Sequence, residues 1–585
     1  MPEYSDSSTM ASAVANESYD PKPLEMASPS NNPLHRLASN SSGVSRILEG
    51  IKDDHELDNE EYAVKSAIPV AEEAIQDELE RVSRQLTLQS REKAPSIQSS
   101  GESSPEEEPE VNDHPIDGLF AMWQAVLAML LVFSTWGANA AFGVFLNYYM
   151  SNSSFPGATN YDFALIGGIV VFLAQILAPL CCFCVTMFGQ TPVLVLGLVL
   201  QTAGYILASF CTKLWQIYCC QGVLVGASFS LIFIPGTLVL PTWFQKRKST
   251  AMGICVSGAG LGGLIFTLSL NRLISQTGDQ RWPLRMVGFV TLGTTAFALC
   301  FLRPRNKKTI DINTSAVTRE RIRMILKVVF NASLFKSLHY LVLGVWFGLC
   351  LLGYVICLYS FSPYASSRGL THSQSNNLLA ILNAAQVVGR PCIGNIADYC
   401  GRSNTAAFFC AYLAILILAF WRHASSYGAL IVLSILLGGP AGVGSIMSQS
   451  LGADILDAQE RPELMPAAWS GLNIMVAIFS LPSEVIAIAL RKEDASNIYN
   501  NAQIFTGCMF FLAFLLLLFN REYLVRMKFK KRRFQAQAAA RYLKAEDLVN
   551  SEDDDRPRIR IERYDRLLQA NIAYYFIRMF YPVRV

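Results

Sequence analysis

The sequence predicts an all-α membrane protein with twelve transmembrane helices, arranged as two halves of six. Two observations lead to this prediction. Of the 585 residues, 52% are hydrophobic and only 16% are charged, against roughly 25% charged in an average soluble domain. The apolar residues are concentrated between about 119 and 520, in runs close to the roughly 20 helical residues that cross a hydrocarbon core.

Twelve apolar segments follow one another in this region, and the longest interruption comes after the sixth. The chain therefore divides into a tail at 1–116, a half at 117–303, a loop at 304–337, a half at 338–520 and a tail at 521–585. The expected spans are about 120–145, 162–185, 191–211, 214–240, 250–274, 284–303, 338–362, 375–397, 404–422, 428–452, 467–490 and 501–520.

Lysine and arginine in the connecting loops predict the orientation. Gln245–Lys248 reads QKRK, Arg303–Lys336 carries nine Lys or Arg against two acids, and 521–534 reads REYLVRMKFKKRRF. All three lie on one side of the membrane if both termini are cytoplasmic, and loops rich in positive charge stay in the cytoplasm. We expect a multi-pass protein of the plasma membrane, with the vacuolar membrane as second choice.

The sequence predicts neither a cofactor nor a metal site. Residues 1–116 are rich in Ser, Pro and Glu, so we expect this N-terminal tail to be disordered. The 14 cysteines lie almost all in apolar runs, where cysteine is a small apolar residue. No motif for a nucleotide, a nucleic acid or a catalytic triad occurs, and we expect no enzyme.

One arginine, Arg390, stands in the eighth span among Ala, Val, Ile and Cys, with no acid within a helical turn. A charge at membrane depth costs about 2.5–3.5 kcal/mol on insertion scales, so it is kept where it faces a cavity or a partner. Arg390 either pairs structurally or snorkels to the interface, or it faces a cavity and binds an anion. A guanidinium suits a carboxylate because its planar fork donates two parallel hydrogen bonds.

The loop after the eighth span reads GNIADYCGRS and resembles the loop signature of the major facilitator superfamily. An acid here can meet a helix N-terminus or a basic neighbour. We expect a conformational latch, with an ordinary tight turn as the alternative. Its residues are Gly394, Asp398, Gly401 and Arg402. The corresponding loop of the first half has Thr186 and Gln190 in place of the acid and the arginine.

Three further segments resemble the monocarboxylate-transporter family, two of them its signatures and one its fungal branch. Trp243–Phe266 reads WFQKRKSTAMGICVSGAGLGGLIF, Asp117–Gln124 reads DGLFAMWQ, and LGYVICLYS is similar to the fungal branch. The resemblance covers roughly residues 115–525 and implies the major facilitator fold. It also implies transport by alternating access, with Arg390 as the residue that binds the substrate carboxylate.

The sequence departs from this family at two positions. The animal lactate carriers have an aspartate one turn before that arginine, which takes part in proton coupling, whereas this chain has Gln386. They also have a lysine late in span one, where this chain offers Asn139. Glu484 is the other charge well inside a span and is our proton-coupling candidate, with a role at the outer gate or the lipid interface as the alternative.

The expected substrate site consists of Arg390, Gln386, Asn383, Asn139 and Tyr354. Gln175 is a further polar candidate, and Trp136, Phe142 and Tyr359 are candidate walls. We expect a secondary transporter for a small organic anion, a carboxylate, acting as a monomeric transport unit in contact with lipid and, if coupled, with protons. A transporter of another metabolite such as riboflavin and a transporter-like nutrient sensor are the alternatives.

Overall fold

The structure is a computed structural model and describes residues 49–61, 114–151, 158–305, 331–492, 497–545 and 556–585, together with 323, 326 and 329. The chain separates into two compact units, residues 1–55 and 56–585. The described part of the first unit, residues 49–55, is helical. The second unit contains a bundle of long helices.

The bundle is built from twelve rods that follow one another along the chain, six before and six after the basic loop. They are α1 (Leu119–Leu146), α2 (Asn160–Ile176 and Ala178–Phe188), α3 (Gln190–Ala208), α4 (Leu214–Trp243), α5 (Lys248–Thr277), α6 (Arg281–Phe301), α7 (Leu338–Ser367), α8 (His372–Cys400), α9 (Arg402–Trp421), α10 (Tyr427–Ala458), α11 (Pro462–Ala489) and α12 (Asn500–Ala545). Two shorter helices follow, α13 (Arg556–Leu567) and α14 (Ile572–Phe580).

Ten of the described helices are long and apolar enough to cross a membrane, or eleven if the two parts of α2, bent by 45°, form one span. The remaining rod, α8, has 29 residues, which is long enough to cross a membrane, but it is more polar than the other spans. Its polar residues Asn383, Gln386 and Arg390 are buried against other helices and need no contact with lipid. The predicted fold class of twelve helices is confirmed.

Irregular turns interrupt several of the rods. In α2, Pro179 occupies the first turn of the second part, because proline has no N–H group to donate to the preceding turn. In α1, Phe133–Gly137 form a π-helical turn. The rod α10 breaks at Gly442, between the helical parts Tyr427–Ala441 and Val443–Ala458. The breaks in α1 and α10 both lie beside the cavity described below.

The helix α5 holds the two halves together because glycines let it approach α1 and α8 closely. A Cβ atom added at Gly260 would lie 2.7 Å from the Cβ atom of Gln386 on α8. A Cβ atom added at Gly262 would lie 2.6 Å from the Cα atom of Gly137 on α1. The GxxxG pattern of Gly258 and Gly262 therefore packs against α1, and Gly260 packs against α8.

Several helix ends lie together at one end of the bundle, which we call the tail end. It carries the α4–α5 loop (Gln245–Arg247), the α8–α9 loop around Gly401, residues 56–61 and residues 556–585. Gly189 and Gly401, which precede α3 and α9, have positive φ angles of 87° and 100°. Both turns use glycine because backbone with positive φ favours it.

Two predicted boundaries differ from the structure. The helix α12 does not end near 520 but continues to Ala545, since the basic residues that follow the span are good helix formers. Residues 49–61 form a helix inside the segment 1–116 that we expected to be disordered. The expectation fails at 56–61 because the carboxylate of Asp58 pairs with Lys528 and Arg532 of α12, which lie 470 and 474 positions further along the chain.

Candidate functional site

A narrow cavity lies between the two six-helix halves, with about 680 Å³ of atom-free space that includes open solvent. Its walls come from α1, α2, α4 and α5 of the first half and from α7, α8, α10 and α11 of the second half. The lining is mostly apolar and aromatic. The polar side chains among its residues belong to Asn139, Gln175, Tyr354, Tyr359, Arg390 and Ser445. Few polar groups in an apolar cleft are typical of a small-molecule site.

Arg390 is part of the cavity wall and is 3% exposed. Its Nη1 donates to the backbone carbonyl of Val256 at 2.5 Å, and its Nη2 donates to Gln386 Oε1 at 2.5 Å. Both partners are neutral, and no carboxylate among the described residues forms an ion pair with this guanidinium. Its Nε is buried and has no partner within the described part of the chain. The charge is therefore held in place by neutral groups, and no carboxylate in the described part of the chain neutralises it.

Polar side chains of α7 and α8 hold the guanidinium in position. Tyr354 donates its hydroxyl to Gln386 Oε1 at 3.1 Å, and its ring lies 5.5 Å from the Cζ atom of Arg390. Gln386 Nε2 in turn donates to Asn383 Oδ1 at 3.0 Å. The aromatic face attracts the cation, and Gln386 orients it. Gln386 and Asn383 are fully buried between helices, so they act behind the cavity wall.

A glycine of α10, Gly442, also packs against the guanidinium of Arg390. A Cβ atom added at Gly442, where α10 breaks, would lie 2.7 Å from Nε and 2.9 Å from Cζ of Arg390. The guanidinium thus rests directly on the backbone of α10. Any larger residue at this position would displace it.

Several buried polar atoms in the lining residues have no partner in the described part of the chain. They are Trp136 Nε1, Trp469 Nε1 and Arg390 Nε, which are donors, and Gln175 Oε1, which is an acceptor. Buried polar groups are rarely left unpaired, because each costs about 1–3 kcal/mol. Three donors and one acceptor around one cavity favour a bound solute that is rich in acceptors.

On the side away from the tail end, α1 and α7 of the two halves are hydrogen-bonded to each other. Asn139 Nδ2 of α1 donates to the Tyr359 hydroxyl of α7 at 3.3 Å, and that hydroxyl donates to the Asn139 carbonyl at 3.3 Å. Phe142, another predicted wall residue, is buried in a hydrophobic cluster of the first half and is absent from the cavity lining. The backbone of Glu484 belongs to the last part of α11, and its side chain lies outside the described residues.

The end of α8 and the start of α9 link the two halves at the tail end. Asp398 accepts hydrogen bonds from the backbone N–H groups of Ser249 at 3.1 Å and Thr250 at 2.7 Å, and from the Thr250 hydroxyl at 2.9 Å. A carboxylate at this position satisfies the free N–H groups of α5 and favours its positive end. Arg402 bridges Asp398 at 3.4 Å and Asp454 at 2.5 Å.

The remaining two latch candidates are glycines with close neighbours. A Cβ atom added at Gly394 would come within 3.0 Å of the Thr250 Cα atom, so this glycine lets α8 reach α5. Gly401 provides the turn with positive φ that begins α9.

The first half has its own carboxylate at the tail end. Asp117 accepts from the N–H groups of Lys246 at 3.1 Å and Arg247 at 3.2 Å. The two segments that carry the family resemblance, around Asp117 and Trp243, thus lie in contact. The loop with Thr186 and Gln190 lacks such a carboxylate, and Gln190 donates instead to the Pro235 carbonyl at 3.3 Å.

The last described segment lies on the α8–α9 loop. The Ser403 N–H donates to the Val585 carbonyl at 2.7 Å, and Asn404 Nδ2 donates to the Val583 carbonyl at 2.9 Å. The Arg584 N–H donates to Asp58 Oδ2 at 3.0 Å. We call residues 581–585 the strap, because they cross the loop that carries the candidate latch.

The structure brings together most of the residues selected from the sequence. Arg390, Asn139 and Tyr354 line the cavity with Gln175, Trp136 and Tyr359, whereas Asn383 and Gln386 lie behind Arg390. Sequence reasoning missed Trp469 and Ser445. Trp469 carries no signal in the sequence that separates it from a packing residue, and Ser445 follows the Gly442 break, which was not recognised as part of a site.

The bundle and its central cavity define a class of protein, the polytopic membrane transporters with two six-helix halves. The family model described as Major Facilitator Superfamily matches residues 125–480 and 352–577. The chain belongs to the major facilitator superfamily.

Fungal transporters are among its relatives. The uncharacterized transporter ESBP6 of Saccharomyces cerevisiae is 39% identical over 476 residues, which cover 80% of this chain and 70% of that protein. The probable transporter MCH2 of the same yeast is 30% identical over 391 residues, 66% of this chain and 80% of that protein. The MFS-type transporter dbaD of Emericella nidulans is 30% identical over 325 residues, with shares of 55% and 68%. The predicted resemblance to fungal members of the superfamily is confirmed.

Proposed function

We propose that the protein is a secondary transporter that moves a small organic anion, of the monocarboxylate type, by alternating access. The observation that carries this proposal is the guanidinium of Arg390 in the cavity wall, which has neutral partners on Nη1 and Nη2 and, among the described residues, no carboxylate and no partner on Nε. A buried charge without a counter-charge is costly. A carboxylate substrate would supply that counter-charge each time it binds.

The surroundings of Arg390 match the rest of such a solute. The indole N–H groups of Trp136 and Trp469 lie in the same lining and could donate to carboxylate oxygens. Apolar side chains such as Val132, Val171 and Leu351 would cover the carbon skeleton. The guanidinium of Arg390, whose hydrogen-bond partners are neutral, favours an anion over an uncharged solute such as riboflavin.

Alternating access needs contacts between the halves that can open in turn. The bonds from Ser249 and Thr250 to Asp398 support a gate at the tail end, and the bonds between Asn139 and Tyr359 support a gate on the opposite side. We propose that the basic loops put the tail end, with both termini, in the cytoplasm. The plasma membrane remains the expected location.

Proton coupling remains assigned to Glu484 as a candidate. Gln386 stands where the animal carriers have an aspartate, and an amide side chain does not take up a proton near neutral pH. In Glu484→Gln we expect uptake that no longer responds to a pH gradient but still requires Arg390. A response to the gradient that is unchanged in this variant would remove Glu484 from the mechanism.

The test is uptake and efflux of radiolabelled monocarboxylates by the purified protein in proteoliposomes, with and without a pH gradient. Losing a hydrogen bond to a charged group costs about 1.5–3 kcal/mol, or roughly 10- to 150-fold in affinity. We expect a loss of this size in Arg390→Ala and partial recovery in Arg390→Lys. Arg281→Ala removes an exposed arginine paired with Asp279 and serves as the control.

Transport by Arg390→Ala at the rate of the unaltered protein would contradict the carboxylate site. A nutrient sensor would bind the radiolabelled solute without moving it in either direction, and this result would contradict the transport activity itself.

A further inference from the structure

The helix α14 presents an apolar face that no described residue covers. Ile572 is 76% exposed, Phe576 is 55% exposed and Phe580 is 65% exposed. These positions recur every four residues, so they form one stripe along the helix, and Ile577 lies beside it. Single exposed apolar residues are common on proteins, but a continuous stripe of this size marks an interaction surface.

The opposite face of α14 is fixed to α12 by buried charges. Arg578 Nε pairs with Glu522 Oε1 at 2.6 Å, and Arg578 Nη1 donates to the Leu567 carbonyl at 2.5 Å. Arg521 donates to the Arg578 carbonyl at 3.2 Å and to the Tyr581 carbonyl at 2.6 Å. The apolar stripe therefore points away from the bundle because the polar side of the helix is already bound.

The position of Arg521 and Glu522 sets the level of α14 relative to the membrane. A hydrocarbon core of about 30 Å corresponds to roughly 20 helical residues, and α12 begins at Asn500. Counting from there, the core ends near Asn520, directly before these two residues. Phe511, Leu512 and Leu515, within the same span of α12, are exposed apolar side chains, as expected of a surface that faces lipid. By this count α14 is attached to α12 at the level where acyl chains would meet the headgroups.

We propose that α14 lies in the membrane leaflet at the tail end, with the stripe of Ile572, Phe576, Ile577 and Phe580 among the acyl chains. An amphipathic helix at this depth buries its apolar face at the boundary between headgroups and acyl chains. Lys530 and Lys531, which are exposed on the continuation of α12, favour anionic headgroups at the same surface. The partner of this face is lipid, whichever solute the protein carries.

The test places one environment-sensitive fluorophore on a cysteine that replaces Phe576 in the full-length protein. The exposed native cysteines 219, 300, 392, 400 and 508 are changed to serine, and the protein is reconstituted in bilayers that contain phosphatidylserine. The control is Phe534→Cys, because Phe534 is another exposed phenylalanine, on α12, that lies about 20 Å beyond Asn520 by the rise of a helix.

We expect lipids brominated on the acyl chains to remove most of the fluorescence at position 576 and little at position 534. Iodide in the aqueous phase should quench the fluorophore strongly at position 534 and weakly at position 576. Strong quenching of position 576 by iodide would contradict the proposal. Protection of that position from both quenchers would also contradict it, since a second copy or another protein would then cover the stripe. If Phe576→Cys is unstable, Ile577→Cys tests the same face.

Discussion

At the scale of single side chains, the buried polar atoms of the cavity lining that lack a partner among the described residues are three donors and one acceptor. The indole N–H of Trp469 lies buried in the lining without a partner among the described residues. Because a donor in such a position gains most from a charged acceptor, Trp469 belongs with Arg390 in the proposed anion site. The packing of its ring, which stacks on Phe347 at a centroid distance of 6.5 Å, is a separate contribution.

The first prediction separates these two contributions. Trp469→Phe keeps an aromatic ring but removes the N–H, so we expect substrate affinity to fall about 10- to 150-fold while the protein stays folded. The measurement is the concentration dependence of uptake in proteoliposomes. Trp421→Phe is the matched control, since Trp421 is also buried with an Nε1 that has no partner among the described residues but does not line the cavity. Equal affinities of the two variants would show that the Trp469 N–H binds no substrate.

A second residue-scale prediction concerns the backbone on which Arg390 rests. In Gly442→Ala the new methyl group would lie within 3 Å of Nε and Cζ of the guanidinium, while the backbone, at φ −89°, accepts alanine. Overpacking of this kind costs about 1–3 kcal/mol, so we expect roughly 5- to 150-fold weaker substrate binding. Gly428→Ala, on the same helix with nothing within 4 Å, should bind normally. Normal binding by both variants would mean that the guanidinium position is unimportant.

The sequence was sufficient to find Arg390, because an arginine within an apolar run is rare and expensive. It was not sufficient to find Trp469 or to separate Asn383 and Gln386 from the cavity wall. An aromatic residue in a span usually packs in the core, and an amide in a span bonds between helices as often as it faces a cavity. Only the rotation of each helix about its axis decides between these cases.

At the scale of elements, the start of α5 depends on a carboxylate from the other half. Asp398 satisfies the N–H groups of Ser249 and Thr250, as a capping side chain does within one helix. The cap differs from an ordinary one because it breaks whenever α8 moves away from α5. Closure at the tail end and completion of the helix N-terminus are therefore the same event.

A third prediction follows from this shared cap. Removing a capping side chain costs about 0.5–2 kcal/mol, so Asp398→Ala should raise the ratio of open to closed tail ends roughly 2- to 30-fold. Spin labels at Arg247 and Glu460, one on each half, should then report longer distances. Asp457→Ala removes an exposed carboxylate at the same end and should leave the distances unchanged. Identical distributions in Asp398→Ala and the unaltered protein would contradict the role of the latch.

The elements themselves were largely predictable. Hydropathy and loop charge gave twelve spans in two groups of six, because the hydrocarbon core imposes their length. The π-helical turn at Phe133–Gly137 and the break at Gly442 were not predicted, since both depend on how neighbouring helices pack. The continuation of α12 to Ala545 was missed because the end of an apolar run does not mark the end of a helix.

At the scale of the whole molecule, residues 56–61 meet the last residues of the chain at the tail end. Asp58 accepts hydrogen bonds from Lys528 at 2.5 Å, from Arg532 at 2.6 Å and from the Arg584 N–H at 3.0 Å. This carboxylate therefore links α12 to the strap. No local pattern in the sequence could have predicted a contact across so many residues, and this is where the expectation of disorder failed.

The fourth prediction is a dependence of strap docking on pH. Burial alone raises the pKa of Asp58, but Lys528, the Arg584 N–H and Arg532 together hold it below its ordinary value of 3.8. A lowered pKa stabilises docking fully above about pH 3.8, and this stabilisation is lost as the pH falls through the lower value. Amide hydrogen exchange at residues 583–585, corrected for the intrinsic rate, should therefore be slow at pH 7 and fast well below about pH 3.8.

The matching variants test the origin of this dependence. Asp58→Asn removes the carboxylate shared by Lys528, Arg532 and the Arg584 N–H and leaves Glu61 as a remaining partner at 3.3 Å from Lys528 and 3.6 Å from Arg532. Exchange at pH 7 should therefore be faster, and its dependence on pH weaker, than in the unaltered protein. Asp565→Asn removes a partner of Arg533 that is 44% exposed, and such exposed pairs contribute little. Slow exchange at pH 7 in Asp58→Asn would mean that other contacts hold the strap.

The polarity of α8 also has a consequence for how the protein is made. A helix with Asn383, Gln386 and Arg390 on one face partitions poorly into lipid by itself, and the groove that shields this face is formed by α5, with Gly260 in contact with Gln386. Since α5 leaves the ribosome first, it is already in the bilayer when α8 is synthesised. The fragment 338–585 expressed alone should fail to insert α8, and co-expression of 1–337 should restore it. The early half of the chain would then act as an assembly template for the late half.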